Sequence, residues 1–249
     1  IRVVSRDWSS DVCSSDLSAA FHMSEDQFVS TVLANLGAYP RYFQHMGPRN
    51  MGFPTAAELS SPRDLDLGEA VVLANGPQSY LVDVRPRSQS AAGHIARSLC
   101  IDGSGALASW FGWIAPIDRP VGIVAHSRVE ASAAQRELQR IGVDFIVGAH
   151  ITEGLSAGAA TGKIAVVSTP RASFSDLATR LQRSPEIVLL DVREADERLS
   201  SHIAGSIHIP AHEIPAADLS SLDGKEVWTH CGAGFRSTIA ASDRKSTRL

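Results

Sequence analysis

The chain has 249 residues, with 27 acidic against 23 basic side chains and a formal net charge of −4. That length suits one large or two ordinary domains, and the charge gives no electrostatic reason to expect nucleic acid or an anionic membrane as a partner. Hydrophobic residues make up 44% and charged residues 20%, a globular balance, and no apolar run approaches the roughly 20 residues needed to span a bilayer. Cys13, Cys100 and Cys231 are too few and too scattered for a disulfide framework or a zinc site. No charged start followed by an apolar stretch marks an export signal, so a reducing, cytoplasmic setting is expected.

In chain order, the apolar runs at Phe28–Leu36, Tyr39–Phe43 and Asn50–Pro54 come first and belong to neither of the later segments. Leu81–Val84 is a short apolar run of the kind buried on both faces of a parallel sheet. Trp110 and Trp113 flank Gly112 and predict a packed aromatic corner. Val121–Ala125 reads as a second strand. Glu130–Ile141 reads as a helix with Ala133, Leu138 and Ile141 on one apolar face and Gly142 at its stop. Gly158–Lys163 is small and flexible, the expected linker. Phe174–Leu181 is a further helix, with Ser173 or Ser175 as its cap. Val188–Val192 and Glu226–His230 are strands, and Ser237 opens another helix. Alternating strands and helices predict an α/β fold, each unit a mostly parallel sheet flanked by helices.

An internal repeat organises these elements. Tyr80–Ser98 (YLVDVRPRSQSAAGHIARS) recurs as Val188–Ser206 (VLLDVREADERLSSHIAGS). One gapless spacing of 108 residues relates Asp83 to Asp191, Arg85 to Arg193, His94 to His202 and Ser98 to Ser206. The chain is therefore read as a duplicated domain of about 100 residues, a common size.

Only the second copy carries reactive chemistry, in Cys231–Ser237 (CGAGFRS). Cys231 follows a strand and precedes a helix, which puts it at the carboxyl edge of the sheet, where α/β ligand sites lie. Gly232 and Gly234 let the loop curl so that the amides of Gly232, Ala233, Gly234, Phe235, Arg236 and Ser237 form an anion nest. Arg236 is expected to add a fixed positive charge. Such a cradle lowers a thiol's pKa and holds a small anion. Asp191 ends its strand as a turn cap, and with Arg193 is expected to support the loop. An isolated cysteine near a turn is more often buried and inert, but this spacing of glycines, arginine and serine favours function. Cysteine loops ending in arginine also cradle phosphate in phosphatases, and resemblance to those would imply a longer loop than this one.

Asp-Val-Arg, followed after about ten residues by Gly/Ser-His-Ile-Ala and then by the Cys231 loop, resembles the signature of rhodanese domains. The resemblance covers residues 55–160 as a first domain and 168–243 as a second. It implies a sulfurtransferase working through a persulfide on Cys231, with thiosulfate or a small persulfide as donor and no metal or other cofactor in this chain. A non-catalytic rhodanese-like module is the alternative. In the first copy Ser127 stands over Cys231, and Arg128–Ser132 contains no glycine but places Glu130 where an anion would sit. That copy is expected to be inactive, a scaffold or docking unit. His126 and His230 are expected to pack under their loops, His94 and His202 to make structural hydrogen bonds, and Cys100 to lie in the core. Ser201 replaces the glycine kept at Gly93 and is expected to strain its turn slightly.

The apolar runs within residues 18–54 resemble the tail of a metallo-β-lactamase-fold domain, which precedes tandem rhodanese domains in proteins similar to persulfide dioxygenases and hydrolases. That implies an upstream metallo-hydrolase domain in the parent chain, with its metal there, since the His-x-His-x-Asp-His motif is absent from this sequence. Residues 1–17 and 244–249 look like translated sequencing-adaptor read-through. The chain is therefore read as a fragment with spurious ends, its second domain cut short and Cys13 without meaning.

Overall fold

The structure, a computed structural model, describes residues 23–35, 38–51, 60–155, 166–183 and 186–246. The linker expected at Gly158–Lys163 and the stretch 1–17 lie outside the described residues. The chain divides into two units, Ile1–Tyr39 and Pro40–Leu249. In the first, helix α1 (Glu25–Asn35) is capped reciprocally: Ser24 Oγ accepts the Gln27 amide at 3.3 Å and Gln27 Oε1 accepts the Ser24 amide at 3.1 Å.

The second unit opens with α2 (Phe43–Asn50) and α3 (Leu67–Asn75). Asp66 and Glu69 close a capping box at the start of α3. The first parallel sheet has the order β3 (Leu99–Cys100), β1 (Tyr80–Asp83), β4 (Val121–Ala125), β5 (Ile146–Ile151). Every residue of β4 is buried, as its unbroken apolar run requires of a central strand. Helices α4 (Arg87–Ala92), α5 (Leu107–Ile114) and α6 (Arg128–Arg140) complete this copy. Around Phe111, which is fully buried, the core gathers Leu99, Ile101, Ile123 and Leu138. Helix α6 buries Ala131, Ala134 and Leu138, whereas Ala133, expected on the apolar face, is exposed. The reason is spacing: Ala133 lies five residues from Leu138, about 140° round the helix, whereas Ala131, Ala134, Leu138 and Ile141 follow the three-and-four spacing of one face.

Strand β2 (His94–Ile95) pairs antiparallel with β6 (Val166–Val167), and the Thr169 amide donates to Ala91 O at 2.9 Å. These bonds lead the chain along the first copy to the start of α7 (Phe174–Arg183), where Ser173 Oγ accepts the Asp176 amide at 3.1 Å. The second sheet has the order β8 (Ile207–His208), β7 (Val188–Asp191), β9 (Val227–His230), again parallel. Helix α8 (Ala195–Ser200) follows β7 and α9 (Phe235–Ser246) follows β9. The second core gathers Leu190, Val192, Ile214 and Leu222. Helix α9 runs on through residues 244–246, which the sequence reading had set aside.

Part of the repeat's bonding recurs, though His94 is buried on Ser90 O while His202 is exposed. Val82 pairs with Leu99 and Leu190 with Ile207, keeping the spacing of 108 residues seen in the sequence. Ser98 and Ser206 each donate from Oγ to the carbonyl three residues back at 2.7 Å. Arg85 and Arg193 each donate to a carbonyl, of Gly93 and Ser201 respectively, at 2.8 Å. Ser201 carries φ −168° and Gly93 φ −171°, extended backbone open to any residue, so the glycine's replacement causes no strain.

The two copies are joined through α9. Ile239 is buried in the first copy's core, and Ser242 Oγ accepts the Cys100 amide at 2.9 Å, which satisfies a donor on edge strand β3. The expected aromatic corner is part of this seam. Gly112 leaves room for Tyr42, since a Cβ there would lie 2.2 Å from its ring, while Trp113 packs on His212 with ring centroids 4.6 Å apart.

In the first copy the Asp83 and Arg85 side chains pair at 2.5 Å with both fully buried. Removing one member leaves a buried charge without its partner, so Asp83→Ala should cost about 3 to 5 kcal/mol, read from the urea unfolding midpoint. A loss under about 1 kcal/mol, the range of exposed pairs, would contradict this account of the buried pair.

Candidate active site

Strand β9 ends at His230, so the tight loop from Cys231 through Gly234 begins at the carboxyl end of the sheet, and α9 starts at Phe235. The first amides of a helix have no partner inside it, and here they are turned toward sulfur. The Gly234 amide donates to Cys231 Sγ at 3.1 Å, a geometry that places Gly234 at φ +81°, where residues with a Cβ are rarely found. The Ser237 hydroxyl lies 3.6 Å from the same sulfur. Cys231 is 6% exposed. Burial pushes its thiol up, but the amide and hydroxyl of Ser237 and the amides of Ala233 and Gly234 outweigh that and hold it below the ordinary cysteine value.

Two open clefts adjoin the sulfur, of about 340 and 250 Å³, both lined by Phe174, His230, Cys231 and Gly232. Arg193 and His202 line the wider one; Arg171, Gly234 and Ser237 line the narrower. Phe174 and Arg171 reach the site because the β6 segment carries the chain there. Beneath the loop, Asp191 Oδ1 accepts the Arg193 amide at 3.1 Å, the turn cap expected of it, and both carboxylate oxygens are bound by the Arg193 guanidinium. Asp191 Oδ2 also faces His230 Nε2 at 3.7 Å. His230 is buried, and its desolvation keeps it below the ordinary histidine value. His126 is exposed rather than packed under its loop. Cys100 is buried in the core with its thiol pushed up by desolvation and by Asp83.

Two predicted residues do something other than expected. Arg236 is not a free cation, because Glu197 of α8 binds it through both carboxylate oxygens, one at 2.8 Å. Phe235 faces away from the clefts, packing on Trp110 at 6.3 Å between centroids. Glu197 escaped the sequence reading because nothing in a single sequence links it to a residue 39 positions later; its visible signal was a capping-box position, three residues after Glu194.

The first copy lacks this arrangement. No residue separates Ser127 from α6, whereas Gly232–Gly234 separate Cys231 from α9. Ser127 Oγ accepts the Glu130 amide at 3.2 Å and Glu130 Oε2 accepts the His126 amide at 3.0 Å. The helix start there is closed by the chain's own serine and carboxylate. Among the described residues, no group of three or more His, Cys, Asp or Glu side chains is placed to hold a metal ion, and no helix is long and apolar enough to cross a membrane.

Residues 173–247 match the family model of the rhodanese-like domain. A curated protein of Bacillus subtilis (strain 168), named "Putative sulfur carrier protein YrkF", is 31% identical over 78 residues, 31% of this chain and 42% of that one. A solved structure of a thiosulfate sulfurtransferase from Pseudomonas aeruginosa aligns at 16% identity and a TM-score of 0.34, covering 74% of this chain and 41% of its own. This chain thus spans less than half the length of either. Within the matched residues lie all the groups described around Cys231 except Trp110 and Arg171.

Substituting Glu197 by Gln should release the Arg236 charge toward the clefts. Sulfate, used as a probe dianion, should then bind a few-fold more tightly at low salt, by calorimetry, with the gain fading as ionic strength rises. Equal affinity in the two proteins would mean that the Glu197 pair does not limit the cradle.

Proposed function

We propose that this chain is a rhodanese-type sulfurtransferase that carries sulfane sulfur as a persulfide on Cys231, with thiosulfate or a small persulfide as donor. The observation that carries the reading is the ring of donors on Cys231 Sγ: the Gly234 amide at 3.1 Å, the Ser237 hydroxyl at 3.6 Å and the amides of Ala233 and Ser237. These donors stabilise a thiolate before reaction and a terminal sulfur anion after it. The thiolate attacks the outer sulfur of thiosulfate, the S–S bond to the sulfonate breaks, and sulfite leaves with the electron pair. A cysteine persulfide anion remains, and an acceptor thiolate then takes its outer sulfur and regenerates the Cys231 thiolate. With Arg236 held by Glu197, the cradle rests more on neutral donors than on net charge. A singly charged persulfide donor therefore suits the site at least as well as dianionic thiosulfate.

Residues 55–160 act in this reading as the silent partner of a tandem pair, with residues 168–243 as the working half. Its support is the shared bonding pattern of the copies and the closed helix start behind Ser127.

Intact mass spectrometry after incubation with thiosulfate tests the reading. The wild-type chain should gain the mass of one sulfur atom, lost again on adding a thiol, and Cys231→Ala should gain nothing. A folded wild-type chain that stays unchanged with both thiosulfate and a small persulfide would point instead to a non-catalytic rhodanese-like module.

A further inference from the structure

The carbonyl of Ala233 and the amide of Gly234 are opposite ends of one planar peptide group. The amide end donates to Cys231 Sγ at 3.1 Å. At the other end, the Ala233 oxygen accepts from Arg87 Nη1 at 2.7 Å. Arg87 is the first residue of α4 and belongs to the other copy. It is fixed from two further sides: its Nε faces Asp102 Oδ2 at 3.6 Å, and its guanidinium lies over the Phe235 ring, 5.7 Å from the centroid. Asp102 is itself anchored, accepting the Ser104 amide at 3.0 Å.

We propose that Arg87 of the silent copy is a positioning residue for Cys231, acting through the single peptide group that joins Ala233 to Gly234. Two physical effects follow from this bond. A charge-assisted hydrogen bond on the carbonyl polarises the peptide and makes its N–H a stronger donor to sulfur. It also holds the orientation of a peptide that glycine leaves free to rotate; rotated, that peptide would turn its carbonyl dipole on the thiolate. The seam thereby links the first copy to the reactivity of the second, although the first copy places no side chain in either cleft. The consequence for sulfur transfer rests on the function proposed above, but the effect on the thiol does not.

The other titratable and charged groups around the sulfur are His230 and Asp191 beneath it, Arg193 and Arg198 on Asp191, the Arg236–Glu197 pair, and His202 and Arg171 lining the clefts. All of them are left in place by changes at Arg87. The test is the pH dependence of iodoacetamide alkylation at Cys231, located by peptide mass spectrometry, in the full chain and in variants checked by circular dichroism. Arg87→Met should move the profile up by about one pH unit and slow alkylation about tenfold near neutral pH. Arg87→Lys should fall between, keeping charge without the planar fork. Asp102→Asn should shift the profile the same way by less, and together with Arg87→Lys carries the test if Arg87→Met does not fold. Arg128→Met, an exposed change in the same copy, should match the wild type. Folded Arg87 and Asp102 variants that superimpose on the wild type, or that move only as far as Arg128→Met, would overturn the proposal. An Arg87-dependent thiol that takes up no sulfur would remove the transferase reading and leave the positioning role standing.

Discussion

The Cys231 sulfur, buried at the start of α9, accepts the Gly234 amide at 3.1 Å, and the chemistry assigned to the chain rests on that contact. Burial alone would make Cys231 an inert thiol. What reverses this is geometric: a strand ends, the chain turns through Gly232–Gly234, and the open amides of a new helix meet the sulfur instead of water. The surroundings keep that turn in place. Asp191 caps the end of the neighbouring strand and faces His230, and Arg87 holds the far side of the Ala233–Gly234 peptide. Ile239 and Ser242 then fasten the helix to the first copy's sheet.

The duplicated copy supplies an internal control. Its sheet register and its Asp-Val-Arg and Ser98 hydrogen bonds match those of the second copy, so the scaffold is conserved within the chain. Its helix start is not. Ser127 and Glu130 satisfy locally the kind of group that in the second copy is left open to sulfur. The two helix starts thus differ in where their donors go: to the chain's own serine and carboxylate in the first copy, to sulfur in the second. The seam ties the first copy to the second through the Arg87–Ala233 bond and through the edge of β3 covered by α9.

Much of this was legible in the sequence. The apolar runs located β1, β4 and β7 to within a residue, because buried parallel strands have to be apolar on both faces; β9, half-buried and ending in Thr229 and His230, was found to the same precision by its place before the Cys231 loop. The gapless repeat aligned Asp83 with Asp191 and Arg85 with Arg193 and read the Asp residues as turn caps, but the ion pair that each Asp makes with the Arg two residues on came only from the structure. Short elements such as α4, α8, β2 and β8 were not legible, having too few residues to show a period. The buried stripe of α6 was misplaced because Ala133 was grouped with Leu138, five residues on, a step that does not keep to one face of a helix. Long-range partners stayed hidden for a different reason. The Glu197–Arg236 and Arg87–Ala233 contacts join segments brought together by packing, and no local pattern in one sequence reports them.

The most direct test of the account is the titration of the Cys231 thiolate by its ultraviolet absorbance, in a Cys13→Ser, Cys100→Ser background, folded and then unfolded in urea. The donor ring predicts a folded transition clearly below the unfolded one, so that the thiolate persists to lower pH in the native chain and is lost only as pH falls through that depressed value. A folded transition at or above the unfolded one would mean that desolvation prevails over the amides and Ser237, and would contradict the claim that this loop makes a reactive sulfur.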